Sequence, residues 1–137
     1  MSLFVDTSIF YAAADAGDQS NRRAQEILAA GEVLVTSDHI LAESWLFLNR
    51  RLGWEAAERF WAAIRAGAAM IEPVLPPDLE AAWHIGRAFS DQRFSLVDRT
   101  SFAVMERLGI TRAASLDDDF TVYRFGPRRE RAFEVVR

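Results

Sequence analysis

Six acidic residues each adjoin an apolar run: Asp6 in "FVDTSIFYA", Glu43 in "HILAESWLFL", Asp98 in "SLVDRTSFAVMERLG", and Asp117, Asp118 and Asp119 in "AASLDDDF". A carboxylate beside apolar neighbours is costly unless a partner or a cation compensates it. Gathered at one place, such groups repel one another unless a metal holds them. Oxygen-only donors select Mg²⁺ or Mn²⁺ over zinc. A divalent ion can make water nucleophilic at neutral pH and stabilise charge developing on a phosphate. Metal-assisted phosphodiester hydrolysis is therefore within reach of these side chains. Each acid also has a plainer reading. Asp6 could cap a helix, Ser95 and Asp98 spell a capping box, Glu43 could pair with an Arg, and the triplet could be a solvated turn. On that alternative the chain is a non-catalytic α/β binding module whose acids are helix caps.

The elements that must position these acids follow from the hydrophobic pattern. Short apolar runs at 3–5, 32–36, 69–74, 112–115 and 132–136 read as strands. Between them lie helical patterns from about 8 to 14, from a Ser20 cap to a stop at Gly31, and over 38–52, 54–66, 78–92 and 96–108. "LPPD" is expected to turn the chain into the helix at 78. The alternation predicts an α/β sandwich, a mostly parallel five-stranded sheet flanked by helices. Asp6 then follows the first strand and Asp117 the fourth, at the carboxyl edge where open α/β sheets place their sites. Glu43 shares a helical face with His39, Ile40, Leu46 and Phe47, and Asp98 sits in a first helical turn above Phe102 and Met105.

Composition narrows the chemistry. With 137 residues, half of them apolar, the chain suits one domain spanning 1–137. The net charge of −4 means that no bulk basic field draws in nucleic acid. Without Cys there is no thiol catalysis, thiolate metal site or disulfide. The cationic side chains are all Arg, which excludes two other users of an Asp at a sheet edge. Haloacid dehalogenase-type phosphatases and two-component receiver domains both need a Lys, and the former also wants an Asp where Ser8 stands. No apolar run is long enough to cross a bilayer, and "MSLFVDTSIF" lacks the pattern of a signal peptide, so a cytoplasmic protein is expected. His84 is expected to pack in its helix, and His39 lies near Glu43.

Taken in order, "FVDTSIFYA", "ILAES", "SLVDRTSFAVMERLGI" and "AASLDDDF" resemble the acidic signatures of the PIN domain, particularly of the VapC-like toxins of bacterial toxin–antitoxin pairs. The resemblance covers almost the whole chain and implies a PIN-like α/β/α sandwich. It implies an Mg²⁺- or Mn²⁺-dependent endoribonuclease whose acids are Asp6, Glu43, Asp98 and Asp117, supported by Ser8, Ser115 and Asp119. Asp6 and Asp98 would be the principal ligands, and Glu43 and Asp117 ligands or orienters of water. Cleavage by activated water would leave a 5′-phosphate and a 3′-hydroxyl. The last segment departs from the usual acid, any residue, Asp-Phe order because Asp118 fills the free position, so Asp117 and Asp119 both remain open for the fourth place.

Arg99 beside Asp98, and Arg124 and Arg128 after the last acid, are the expected phosphate-binding residues. Trp45, Phe47, Trp54, Phe60 and Trp61 crowd two consecutive helices, more aromatic area than one thin layer hides. The surplus is expected to form a homodimer face and a groove for a small antitoxin, as the resemblance also implies.

Overall fold

The computed structural model describes residues 1–137. It contains β1 (Ser2–Val5), α1 (Thr7–Ala14), α2 (Asn21–Leu28), β2 (Val33–Ser37), α3 (Asp38–Leu52), α4 (Trp54–Arg65) and β3 (Met70–Glu72). There follow α5 (Pro76–Ala88), α6 (Leu96–Leu108), β4 (Arg112–Ala114), α7 (Asp119–Val122) and β5 (Glu134–Val136). The strands form one five-stranded sheet in the order β3-β2-β1-β4-β5. Every pairing is parallel, so the carboxyl ends of all strands share one edge. The α/β/α sandwich expected from the alternation is therefore present.

The two central strands carry near-continuous apolar runs because both faces of a parallel sheet are covered. Leu3, Phe4, Val5, Ala113 and Ala114 are buried. On one side of the core Phe102 stacks on Tyr123 with centroids 4.3 Å apart, and Phe94, Phe120 and Phe133 close round them. This cluster packs α6 and α7 against the sheet and so sets where the segment from Ser115 to Asp119 can lie. Between α3 and α4, Gly53 takes φ +97°, a region unfavourable to any side chain, and lets the helices meet without a linker.

The differences from the expected elements have local causes. α5 begins at Pro76, not after a turn at Asp78, because proline at the first helical positions gives up an amide that has no helical partner there. The Asp78 carboxylate accepts from the Leu75 amide at 2.9 Å and is buried against Arg107. The same helix stops at Ala88, four residues short of the expected end, where Phe89 turns inward against Phe94 and Tyr123. His84, expected to pack, is exposed and lies 3.4 Å from Glu80, because the inward positions of α5 are Asp78, Ala82 and Ile85.

Candidate active site

Asp6 follows β1 directly, and its main-chain amide bonds to the Ala114 carbonyl of β4. It occupies the position before α1, yet its carboxylate makes no bond to that helix's cap amides. Instead Oδ2 accepts from Ser8 Oγ at 2.9 Å and from Ser115 Oγ at 2.8 Å. The side chain is only 2 % exposed. Burial raises its pKa, and the two serine bonds act against that rise. Ser8 Oγ also accepts from the Leu116 amide at 2.9 Å, and Ser115 Oγ from the Asp117 amide at 3.1 Å. The serines thus tie the ends of β1 and β4 together around one carboxylate and aim the acidic segment at it.

Glu43 reaches the site from α3. Its Oε1 accepts from Thr7 Oγ1 at 2.6 Å, and Thr7 Oγ1 in turn accepts from Ser44 Oγ at 3.3 Å. Thr7 is the middle residue of Asp6-Thr7-Ser8, and its contribution was missed in the sequence, where a buried hydroxyl between two polar residues gives no signal. His39, one helical turn before Glu43, makes a 3.1 Å contact from Nδ1 to Thr100 Oγ1 on α6.

Asp98 lies in the first turn of α6. The capping box expected there is formed: Ser95 Oγ accepts from the Asp98 amide at 3.0 Å, and the Asp98 carboxylate accepts from the Ser95 amide at 3.4 Å. Capping does not exhaust its environment. Burial, a carboxyl-to-carboxyl contact with Asp119 and the charge of Asp6 push its pKa up to about 8. Asp117 is pushed up to about 6 by partial desolvation and by Asp6 and Asp119. Asp118 points away and pairs with Arg137 at 3.0 Å on the surface. Asp117 and Asp119 therefore both adjoin the site, one towards Asp6 and the other towards Asp98.

None of the ion pairs in the structure involves Asp6, Glu43, Asp98, Asp117 or Asp119. The donors are all hard oxygens and none is ion-paired, which fits a divalent cation such as Mg²⁺ or Mn²⁺. The four carboxylates expected to bind metal or orient its water are brought to one sheet edge, and no three of them converge on a single point. Uncompensated like charges repel, and hydrogen bonding from Ser8, Ser115 and Thr7 holds Asp6 and Glu43 in place individually.

Two of the expected phosphate-binding arginines are engaged by main-chain carbonyls. Arg99 crosses Gly86, where a Cβ would collide with it, and donates to the Ala82 carbonyl of α5 at 3.2 Å. Arg124 donates to the carbonyls of Thr121, Val122 and Tyr123. Arg128 is exposed. A cleft beside the acids is lined by Thr7, Ser8, His39, Glu43, Phe47, Arg50 and Asp117, among others. Its cation is Arg50, which lies seven residues after Glu43 on the same helical face, a spacing legible in the sequence but not used there.

Comparison with known proteins agrees with this architecture. Residues 3–126 match the family model described as PIN domain. The chain is 40 % identical over 125 residues to a Mycobacterium tuberculosis protein named 23S rRNA-specific endonuclease VapC20, covering 90 % of this chain and 95 % of that protein. The crystal structure of M. tuberculosis VapC20, described as a sarcin-ricin loop cleaving toxin, superposes with a TM-score of 0.80 at 39 % identity, over 85 % of this chain and 91 % of that one. VapBC2 from Rickettsia felis shares the fold at 14 % identity with a TM-score of 0.65, over 86 % of this chain and 89 % of that one. The chain belongs to the PIN-domain family, among its VapC-like members.

Proposed function

We propose that residues 1–137 form one domain, and that it is a metal-dependent endoribonuclease and the toxin of a toxin–antitoxin pair. The observation that carries this reading is the set of unneutralised carboxylates at the carboxyl edge of the sheet, with Asp6 fixed by Ser8 and Ser115. Helix capping does not account for that arrangement, because the Asp6 carboxylate makes no capping bond to α1. Asp6 and Asp98 would be the principal ligands of Mg²⁺ or Mn²⁺, with Glu43 and Asp117 as further ligands or orienters of water and Asp119 beside Asp98. Bound there, such an ion supplies a nucleophilic water at neutral pH and charge stabilisation at the phosphate.

The protein's own side chains do the rest. Ser8 and Ser115 keep one Asp6 oxygen saturated with donors, which orients the other. Thr7 holds Glu43 with its second oxygen available to orient water or the leaving 3′-hydroxyl. Arg50 offers a guanidinium fork to a substrate phosphate in the same cleft. The products would be a 5′-phosphate and a 3′-hydroxyl.

The identity to a 23S rRNA-specific endonuclease makes ribosomal RNA the first substrate to test. The test is incubation with ribosomes and with total RNA in Mg²⁺, Mn²⁺ or chelator, followed by mapping of cut ends. Cleavage undiminished by excess chelator, or no cleavage under any condition, overturns the reading.

We also propose a homodimer and a small antitoxin partner, both using the aromatic surface of α3 and α4. Leu46 is 60 % and Trp54 57 % exposed. Phe60 is occupied by the core, 5.2 Å from Phe10, and Trp45 is tied to Glu58 by a 3.0 Å bond. The free part of the aromatic surface is thus narrower than the composition suggests. No helix is long and apolar enough to cross a membrane, which accords with action in the cytoplasm, where RNA and the partner would be met.

A further inference from the structure

The cleft that holds Arg50 has a neighbour. A second cleft is lined by Tyr11, Asp15, Gly17, Asp18, Gln19, Arg51 and Leu116, and it shares Ser8, Phe47 and Asp117 with the first. The shared residues are where the clefts meet, beside the buried carboxylate of Asp6. Phe47 lines both. Arg50 and Arg51, consecutive on α3, stand against this one ring at 5.9 Å and 5.0 Å from its centroid. Arg51 also lies over Tyr11 at 5.9 Å, and Tyr11 packs on Phe47 at 4.7 Å. Each cleft therefore carries a single arginine on an aromatic support, and neither arginine belongs to an ion pair.

We propose that one RNA strand passes from one cleft to the other over Ser8, Phe47 and Asp117, with Arg50 holding a phosphate on one side of the cut bond and Arg51 a phosphate on the other. This rests on the RNA-cleaving reading and adds the substrate's path to it. The aromatic faces hold the guanidinium planes and leave their outward N–H groups for phosphate oxygens. Asp15 and Asp18 in the second cleft are already engaged. Asp15 accepts from Tyr11 Oη at 2.6 Å and from the Gly17 amide at 2.9 Å, while Asp18 accepts from the Ser20 amide at 2.8 Å. A single strand fits because a flexible backbone can follow two clefts joined at shared residues more readily than a rigid duplex.

The experiment compares Arg50→Gln and Arg51→Gln on three RNA oligonucleotides built around a mapped cleavage site: the full sequence, one shortened on the 5′ side and one shortened on the 3′ side. Both side chains are exposed, so melting temperatures should match the parent. On the full substrate each variant should raise KM about tenfold with little change in kcat, as expected for one lost charge-assisted phosphate contact. One variant's penalty should vanish on the 5′-shortened substrate and the other's on the 3′-shortened substrate. Penalties that vanish together on the same substrate, or that ignore both truncations, overturn the proposal. Binding of the same oligonucleotides to Asp6→Asn, with and without each Arg change, gives a readout independent of turnover. Cleavage by the parent with no such pattern sinks the strand path alone, whereas neither binding nor cleavage sinks the nuclease reading with it.

Discussion

Ser115 Oγ, just past β4, donates at 2.8 Å to Oδ2 of Asp6, just past β1, across a separation of 109 residues. A carboxylate this buried would ordinarily be neutralised by a cation or satisfied by several amides. Here two hydroxyls, both on Oδ2, perform that task.

Ser115→Ala should therefore act on both stability and turnover. Loss of a hydrogen bond to a buried charged group costs on the order of 1–3 kcal/mol, and it also frees the Asp117 amide that Ser115 Oγ accepts. Turnover should fall about 10- to 100-fold, the usual effect of removing a group that orients a metal ligand. Parallel melts and cleavage rates check this, and an unchanged rate would show that Asp6 needs no orientation.

Asp6→Asn and Asp98→Asn should each abolish metal-dependent RNA cleavage while far-UV circular dichroism stays native. The amide keeps the carboxylate's shape and loses its charge, so the fold survives while affinity for Mg²⁺ or Mn²⁺ drops. Calorimetric titration with Mn²⁺ reads that affinity directly. Full activity in either variant would remove the carboxylate from the site.

The raised pKa of Asp98 gives stability a definite pH sign. An acid raised from about 3.9 to about 8 binds more protons folded than unfolded. Its contribution is fully present below pH 4 and is lost as the pH rises towards 8. Metal-free protein should accordingly weaken across that window, and Asp98→Asn should weaken less. At pH 8 without metal the variant should be more stable by about 1 kcal/mol, a figure discounted for the partial exposure of the group. Its amide can donate to Asp119 and still accept from Ser95. A pure capping role predicts the opposite sign, a loss of up to about 1 kcal/mol. Thermal melts in chelator from pH 4 to 8 decide between them. Added Mg²⁺ should stabilise the parent more than the variant.

Leu46→Glu and Trp54→Glu should leave the fold of the single chain intact by far-UV circular dichroism, since both side chains face solvent there. If these residues form the proposed dimer face, sedimentation should shift from dimer to monomer in at least one variant, and co-purification of the small antitoxin should weaken. A parent protein that is monomeric at high micromolar concentration contradicts the dimer.

Much of this was legible without coordinates because it depends on local order. The alternation of apolar runs with helical patterns determined a parallel sheet, since adjacent parallel strands need a crossover between them. It also placed Asp6 and Asp117 at strand ends. The Ser95 and Asp98 capping box is likewise local and formed as expected. Lack of Lys and Cys excluded whole chemistries before any geometry was known. Sequence spacing could not show the bonds made across the chain. That Ser8 and Ser115 meet on one oxygen depends on β1 pairing with β4, and Thr7 meets Glu43 only because α3 packs against α1. The arginines show the same division. Proximity in sequence favoured Arg99 and Arg124, whose guanidinium groups folding directs to main-chain carbonyls. The packing of Tyr11 against Phe47 instead set Arg50 and Arg51 beside the acids. Residue order determined which groups sit at the sheet edge, and tertiary packing decided which charges there remain free, because only side chains from distant segments can neutralise or support them.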